Sequence, residues 1–447
     1  MPRGTRGRAG GARRLTRAGG RSVLGGPAGL AAAGLLAAAA ALGFLASLGL
    51  IGPARRTSAS AVVLYAAGAG LAALLARRAA LARRLRAPLF AAFLAGGAAR
   101  LALAWVAPLD YDLESYAIVV RAMDRGDVVY AATDRYNYSP VWAHVLQATA
   151  AVSRAAGVSP FFGFRVVTIL GDGLVAFALW RLSAGRTSRR RAACRAAFWW
   201  TNPVPIAVSA FGAQFDALAI GVLLVGFALA GNSPAARQRT ALAALVVGSA
   251  IALKQIAVLW LAGFLGFARG SLARARDLVL AILPFTLLVG PHLAANPGPV
   301  LRNVIRYASL HGLWGWYYLL RLFGGNLPFP PALVSYAAVA AASFLAFRLV
   351  ARGDDGLLAG RVAATVFLAL SPGWSFQMLV WPLAFAPERR ESTPAAVYSV
   401  AGLCVWAEFL RLHEANLLAG LVAWGSVVFW AWRAVRRPTS AVRALVV

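Results

Sequence analysis

The chain has 447 residues, of which 60% are hydrophobic and 13% are charged, and its mean hydropathy is +0.68. A soluble globular domain carries roughly 45–50% apolar and about 25% charged residues, so this composition excludes an ordinary soluble enzyme and a disordered protein. The formal net charge of +30 would suit a nucleic-acid-binding protein. However, the arginines cluster between long apolar stretches, as they do in the cytoplasmic loops of membrane proteins. We therefore expect a membrane protein with no nucleic-acid partner.

The apolar stretches predict an all-α, multi-pass membrane protein with about fourteen transmembrane helices, since each crossing needs about 20 apolar residues. The predicted organisation, in chain order, is a basic tail at 1–22, transmembrane helices over 23–108, a large loop at 109–159, a transmembrane core over 160–434 and a second tail at 435–447. Within the large loop, a short helix is predicted at 112–125 and an amphipathic interfacial helix at 136–157.

The arginine distribution predicts how the chain is oriented. The segments RRAALARRLR (77–86) and SAGRTSRRRAACR (183–195) are rich in arginine, and the positive-inside rule places such short loops in the cytoplasm. The large loop then lies on the extracytoplasmic side, and both termini are cytoplasmic. We expect a multi-pass protein of the cell membrane that faces membrane lipids along its sides.

Acidic residues are concentrated in the large loop. The chain has 15 acidic residues, and Asp110 and Asp112 come directly after a predicted span. Carboxylates at this position could act as a general base toward a sugar hydroxyl, or hold a divalent cation such as Mg²⁺ or Mn²⁺. The alternative is a solvated loop whose acidic residues only mark its side of the membrane. The D-x-D spacing alone is too weak a pattern to choose between them.

The motifs of this loop resemble those of GT-C glycosyltransferases, in particular the catalytic subunit of GPI mannosyltransferase I. In that family a D-x-D-Y stretch and a short helix lead to G-x-x-P-Y and then to Y-R-Y-T-P-L-L. The counterparts here are Asp110 and Asp112, GDVVY (126–130) and YNYSPVW (136–142). Later segments resemble further family blocks in the same order, namely GDGLVAFALWRL (171–182), FWWTNPVPIAVSAFGAQFDALAI (198–220), IALKQIAV (251–258) and SPGWSFQMLVWPLAFAP (371–387).

The resemblance implies an inverting glycosyltransferase that moves a hexose, with mannose expected, from a polyprenyl-phosphate donor to an extracytoplasmic lipid or glycan acceptor. It also implies that Asp110 or Asp112 deprotonates the acceptor hydroxyl. Of the two, the sequence favours Asp110, because it lies closest to the end of the preceding span, where its position is best fixed. Polar residues inside a membrane are costly and are functional candidates by default. The predicted substrate-binding residues are Tyr136, Tyr138, Gln214, Asp216, Lys254, Gln255, Arg306, His311 and Gln377.

Each of these residues has a purely structural alternative. Gln214 and Asp216 could cap the helix that begins near residue 215. Lys254 is the only lysine among 45 basic residues, and it could be an interfacial anchor whose ammonium reaches water. His311 could be a surface residue of a loop.

Two alternatives concern the chain as a whole. A multispan transporter or flippase of a lipid-linked or anionic solute would also place isolated charges within the membrane. A non-catalytic membrane scaffold would leave the shared motifs unexplained. Among the intramembrane charges, Asp172 is expected to pair with Arg165 or Arg181.

Overall fold

A computed structural model describes residues 86–184, 187–231, 240–305, 311, 314–373, 375–385, 391–412 and 417–436. Several predicted features lie outside the described residues. They are the basic tail at 1–22, the first two spans up to residue 76, the arginine-rich segment 77–85, the candidate Arg306 and most of the second tail.

The described residues form helices and connecting turns, without a β-strand, which confirms the all-α prediction for this part of the chain. The α-helices are α1 (Arg86–Val106), α2 (Tyr111–Asp124), α3 (Val129–Ala132), α4 (Pro140–Ala155), α5 (Pro160–Ala184), α6 (Arg189–Thr201), α7 (Pro203–Pro205), α8 (Asp216–Ala230), α9 (Thr240–Leu253), α10 (Leu261–Leu265), α11 (Ser271–Ala295), α12 (Pro297–Val300), α13 (Gly315–Leu322), α14 (Pro331–Ala351), α15 (Gly356–Leu370), α16 (Trp381–Ala384), α17 (Ser392–Leu412) and α18 (Leu417–Val435). Short π-helices at Ile206–Phe211 and Leu301–Ile305, and 3₁₀ helices at Gln255–Trp260 and Phe376–Val380, continue some of them.

Four of the described helices are long and apolar enough to cross a membrane, by length and composition: α1 from Leu89 onward, α5, α11 and α14. A fifth crossing is counted if Pro203–Phe211 and α8, which bend by 117°, form one broken span. This supports a membrane protein. The predicted total of about fourteen spans is not confirmed.

The break before α8 has a local cause. Pro203 lacks a backbone N–H, so the helix of α6 cannot continue through it. Asn202 caps the next turn, because its Oδ1 accepts a hydrogen bond from Val204 N at 3.0 Å. Its Nδ2 donates to Ser399 Oγ at 2.9 Å, which ties the break to α17. Asn202 therefore has a structural role at this break.

The predicted interfacial helix is α4, which begins with Pro140 in its first turn. Trp142, Leu146 and Ala150 are spaced by one helical turn and are completely buried. They form a second, smaller core with α2 and with residues 213–219. The amphipathic pattern therefore holds the loop helices against the start of α8, and this contact builds the candidate site.

Candidate active site

The two carboxylates of the D-x-D motif face different partners. Asp110 is the N-cap of α2, and its Oδ1 accepts a hydrogen bond from Leu113 N at 2.9 Å. Asp112 lies in the first turn, where its Oδ2 accepts a hydrogen bond of 2.7 Å from Gln214 Nε2. Asp110 therefore has a structural role that Ser, Thr or Asn could also fill. Asp112 is the carboxylate presented to the rest of the site.

The environment of Asp112 brings its pKa close to neutral pH. Burial raises its pKa from the usual 3.8 to about 7, and the nearby charge of Asp110 acts in the same direction. The charge of Lys254, the hydrogen bond from Gln214 and the charge of Arg135 partly oppose this increase. A general base works best when its pKa lies near the working pH. Asp112 meets that requirement.

Burial also raises the pKa of Asp110, but the hydrogen bond from the Leu113 backbone opposes this shift. Between the two carboxylates, the structure thus favours Asp112 as the base. The D-x-D spacing does not reveal this, because Gln214 lies 102 residues away in the chain.

Residues 212–216 (GAQFD) link the two halves of the site. Ala213 has a φ of +50°, which is uncommon for a residue with a side chain. The segment is held by Gln214 N, which donates to Val208 O at 3.0 Å, and by Phe215, which stacks on Trp142 with ring centroids 4.0 Å apart. Gln214 contacts Asp112, whereas Asp216 contacts Lys254. This short segment therefore connects the loop carboxylate with a buried cation.

Lys254 and Asp216 form a buried ion pair. Lys254 Nζ lies 2.5 Å from Asp216 Oδ2, and Trp381 Nε1 donates to Asp216 Oδ1 at 2.8 Å. The ammonium also lies 4.5 Å from the ring centroid of Phe215 and 5.0 Å from that of Tyr138. Only 7% of the Lys254 side chain is exposed. An interfacial anchor would extend its ammonium toward water, so this alternative for Lys254 is wrong.

The capping alternative fails for Gln214 and Asp216. The N-cap of α8 is Phe215, which makes no side-chain capping hydrogen bond. The side chains of Gln214 and Asp216 are instead occupied by Asp112, Lys254 and Trp381. Trp381 was not among the predicted site residues, although it lies in the last resembling segment.

A cleft of about 130 Å³ opens beside Lys254, and we call it the Lys254 cleft. It brings together five of the predicted site residues, namely Tyr138, Asp216, Lys254, Gln255 and Gln377. Much of the remaining wall is apolar and includes Ile256, Ala332, Val339, Phe367, Met378 and Trp381. The cleft thus has a small polar part, which contains a cation, and a much larger apolar part.

The other predicted residues have different surroundings. Tyr136 is buried, and its hydroxyl donates to Ser139 O at 2.6 Å, so it fixes the start of α4 and does not line the cleft. Gln255, one of the five cleft residues, also donates from Nε2 to Asn137 O at 3.0 Å, and this joins the 3₁₀ helix after α9 to the same loop. His311 Nε2 lies 3.4 Å from Ser335 Oγ, and Ser335 lines the cleft.

Asp172 does not pair with Arg165 or Arg181. Its Oδ2 accepts from Arg100 Nε at 2.8 Å, and its Oδ1 accepts from Ser209 Oγ at 3.1 Å. Arg165 donates instead to backbone carbonyls, including Phe211 O at 3.1 Å. The pairing prediction was wrong because it considered only charges on the same helix. Asp172 thus links α5 to Arg100 in α1 and to Ser209 in the π-helix that precedes residues 212–216.

The metal hypothesis gains no support from this geometry. In the part of the chain that the structure describes, no three His, Cys, Asp or Glu side chains are grouped so that they could hold a metal ion. Asp110 and Asp112 are engaged with Leu113 and Gln214. The pair alone would leave most of the six oxygen ligands that Mg²⁺ prefers to come from elsewhere.

Residues 123–269 match the family model described as alpha-(1->6)-mannopyranosyltransferase, N-terminal domain. The protein is a glycosyltransferase. The matched domain supports mannosyl transfer and a GT-C type of enzyme, does not favour the transporter alternative, and singles out no particular subunit. The match covers about a third of the chain. Neither a curated protein nor a solved structure matches the chain.

Six of the predicted site residues lie within the matched region, namely Tyr136, Tyr138, Gln214, Asp216, Lys254 and Gln255. The D-x-D motif precedes the matched region, and Gln377 follows it. The site is therefore assembled from the matched domain and from segments on both sides of it.

Proposed function

We propose that this glycosyltransferase moves mannose from a polyprenyl-phosphate donor to a hydroxyl of a lipid or glycan acceptor, with inversion at the anomeric carbon. The description of the matched family suggests an α-(1→6) linkage. The reaction takes place on the extracytoplasmic side of the cell membrane, in a multi-pass protein with about fourteen spans and both termini in the cytoplasm. The loop motifs, and the arginines between apolar stretches, support this arrangement.

The observation that carries the proposal is the composition of the Lys254 cleft. A polyprenyl-phosphate sugar has an anionic phosphate between a polar sugar and an apolar chain. The cleft offers a buried ammonium paired with the Asp216 carboxylate, two amides and two tyrosines beside an apolar wall. Pockets of this kind, mostly apolar with a few placed polar groups, are typical of ligand sites.

The charge of the donor changes during the reaction in a way that suits Lys254. The donor phosphate is a diester with one negative charge, and it gains a second when its bond to the sugar breaks. In the ground state Lys254 already neutralises Asp216, so the buried ion pair carries no net charge. Its ammonium has three N–H donors. A donor that remains free can stabilise the charge that develops on the leaving phosphate.

The proton balance assigns a role to Asp112. The acceptor oxygen forms a bond to the anomeric carbon, and the bond from that carbon to the phosphate oxygen breaks. The bonding electrons leave with the phosphate, and the acceptor proton passes to the Asp112 carboxylate. The pKa of Asp112 is raised to about 7, and among the described residues its side chain accepts a hydrogen bond from Gln214 on one oxygen. Asp110 acts through the helix cap.

The proposal is tested by incubating the purified protein with a panel of polyprenyl-phosphate sugars and membrane-lipid or mannoside acceptors. We expect mannose transfer from the polyprenyl-phosphate donor. A nucleotide-linked mannose should not serve as the donor. Lys254 is the one cation among the described residues that line the cleft, and the apolar wall of the cleft does not suit a nucleoside. Transfer from the nucleotide sugar alone would overturn the donor assignment.

The two carboxylates provide a matched pair of variants. Asp112→Asn removes the base and should lower turnover by about 10²–10⁴-fold, the usual loss for a general base. Asp110→Asn keeps a good helix cap and should retain most of the activity. The reverse ranking of the two variants would transfer the role of base to Asp110.

A further inference from the structure

We propose that Gln214 is the positioning residue of the base, and that its amide serves Asp112 in both protonation states by turning over during the reaction. This inference rests on the proposed function. It assigns Gln214 a role toward the protein's own carboxylate, where the sequence suggested substrate binding.

The contact itself is short, buried and specific. Gln214 is completely buried, and its Nε2 lies 2.7 Å from Asp112 Oδ2. Its backbone is fixed on both sides, because Gln214 N donates to Val208 O and the neighbouring Phe215 is stacked on Trp142. The side chain therefore has little freedom except rotation of its terminal amide.

The other end of the amide is not held. Gln214 Oε1 is buried and has no hydrogen-bond partner among the described residues. The second contact of Nε2, with Gly212 O, is long at 3.4 Å. A buried polar atom without a partner is costly. Beside a carboxylate that takes up a proton, such an atom can serve as the hydrogen-bond acceptor for the O–H that forms.

The two protonation states of Asp112 need opposite partners. The ionised carboxylate only accepts hydrogen bonds, whereas the protonated acid carries an O–H donor. The Nε2 end satisfies the first state. After Asp112 has taken the acceptor proton, a half-turn of the amide presents Oε1 to the new O–H. Glutamine is one of the few side chains that can donate in one state and accept in the other.

The pH behaviour of Asp112 depends on several neighbours. The charged and titratable groups around it are Asp110 and Tyr116 on its own segment, Arg135 after α3, Asp216 at the start of α8 and Lys254 after α9. Substituting Gln214 leaves all of these in place. A hydrogen bond to the carboxylate favours the ionised form, so its loss moves the titration of Asp112 to higher pH.

The test compares the pH profile of kcat/KM for four proteins: the wild type, Gln214→Met, Gln214→Glu and Gln147→Glu. Gln214→Met loses both hydrogen bonds to Asp112. Because the bond to the ionised carboxylate is stronger than the bond to the neutral acid, the acid limb should still move up by about one pH unit. Gln214→Glu should move it further, because two adjacent carboxylates cannot both ionise easily. Gln147 donates to Asp124 at 3.2 Å on the exposed surface of the loop, so Gln147→Glu should leave the limb unchanged.

The shape of the pH profile distinguishes a loss of positioning from misfolding. A misfolded fraction lowers kcat/KM equally at every pH, whereas loss of positioning moves the limb and spares activity above it. Coincident limbs for Gln214→Met and the wild type would overturn the inference. Infrared spectra of the carboxyl band, assigned with Asp112→Asn, follow the titration of Asp112 without turnover. If the wild type transferred no mannose, the proposed function would fail, and the infrared titration would still decide whether Gln214 controls Asp112.

Discussion

Lys254→Met isolates the buried ion pair at the centre of the site. Methionine has a similar length, but it leaves the Asp216 carboxylate buried, with Trp381 Nε1 at 2.8 Å as its remaining partner among the described residues. Removing one member of a buried pair typically costs about 3–5 kcal/mol, because the remaining charge is uncompensated. We expect the free energy of unfolding of the purified protein in detergent to fall by this amount, which a lower melting temperature would show. Mannosyl transfer should also be lost.

The double variant Lys254→Met/Asp216→Asn tests the reasoning more sharply. The asparagine removes the uncompensated charge and still accepts from Trp381, so most of the lost stability should return. Transfer should remain low, because the cation for the leaving phosphate is absent. An exposed pair supplies the control. Arg125 and Asp127 lie 2.8 Å apart with side chains 62% and 42% exposed, and Arg125→Met should cost less than about 1 kcal/mol.

Two results would refute this account of Lys254. If Lys254→Met melts like the Arg125→Met control, the pair is not the buried contact that the structure describes. If the double variant recovers both stability and transfer, Lys254 only neutralises Asp216 and has no role toward the donor.

Three further predictions concern pH, packing and orientation. If Asp112 is the base, kcat/KM should fall as the pH decreases through about 7, since its pKa is raised to about that value and the protonated acid cannot accept a proton; a rate independent of pH between 5 and 8 would contradict this. Gly171→Ala would place a Cβ 2.6 Å from the backbone of α8, whereas Gly290→Ala meets nothing within 4 Å, so only the first should lower the melting temperature. In a background without the native cysteines, Asp127→Cys should be labelled from outside intact cells and Ser188→Cys should not; the reverse would overturn the proposed orientation.

Local structure could be predicted from the sequence because its causes are local. Prolines at 140, 160 and 331 begin α4, α5 and α14, as expected for a residue that fits the first helical turn and lacks an N–H. The break at Asn202 and Pro203 also follows from neighbouring residues. The apolar composition indicated a membrane environment, in which the backbone must satisfy its own hydrogen bonds, and it therefore predicted the all-α class. The order of motifs supported a mannosyltransferase before any contact was known.

The partners of the buried charges could not be predicted in this way. Asp172 pairs with Arg100, 72 residues away, and Lys254 pairs with Asp216, 38 residues away. Each pair joins residues from two different helical segments, so the periodicity within one helix gives no sign of these contacts. They form because a charge inside an apolar core must find an opposite charge or a hydrogen bond wherever packing brings one.

The choice between Asp110 and Asp112 illustrates the same division. The sequence placed both carboxylates at the start of a helix, and by itself it favoured Asp110, which is nearer to the preceding span. Only the tertiary structure assigned Asp110 to the helix cap and turned Asp112 toward Gln214. Helix geometry determines that residues two positions apart point in different directions. What each of them meets depends on packing between segments about 100 residues apart, and that packing is a property of the whole fold.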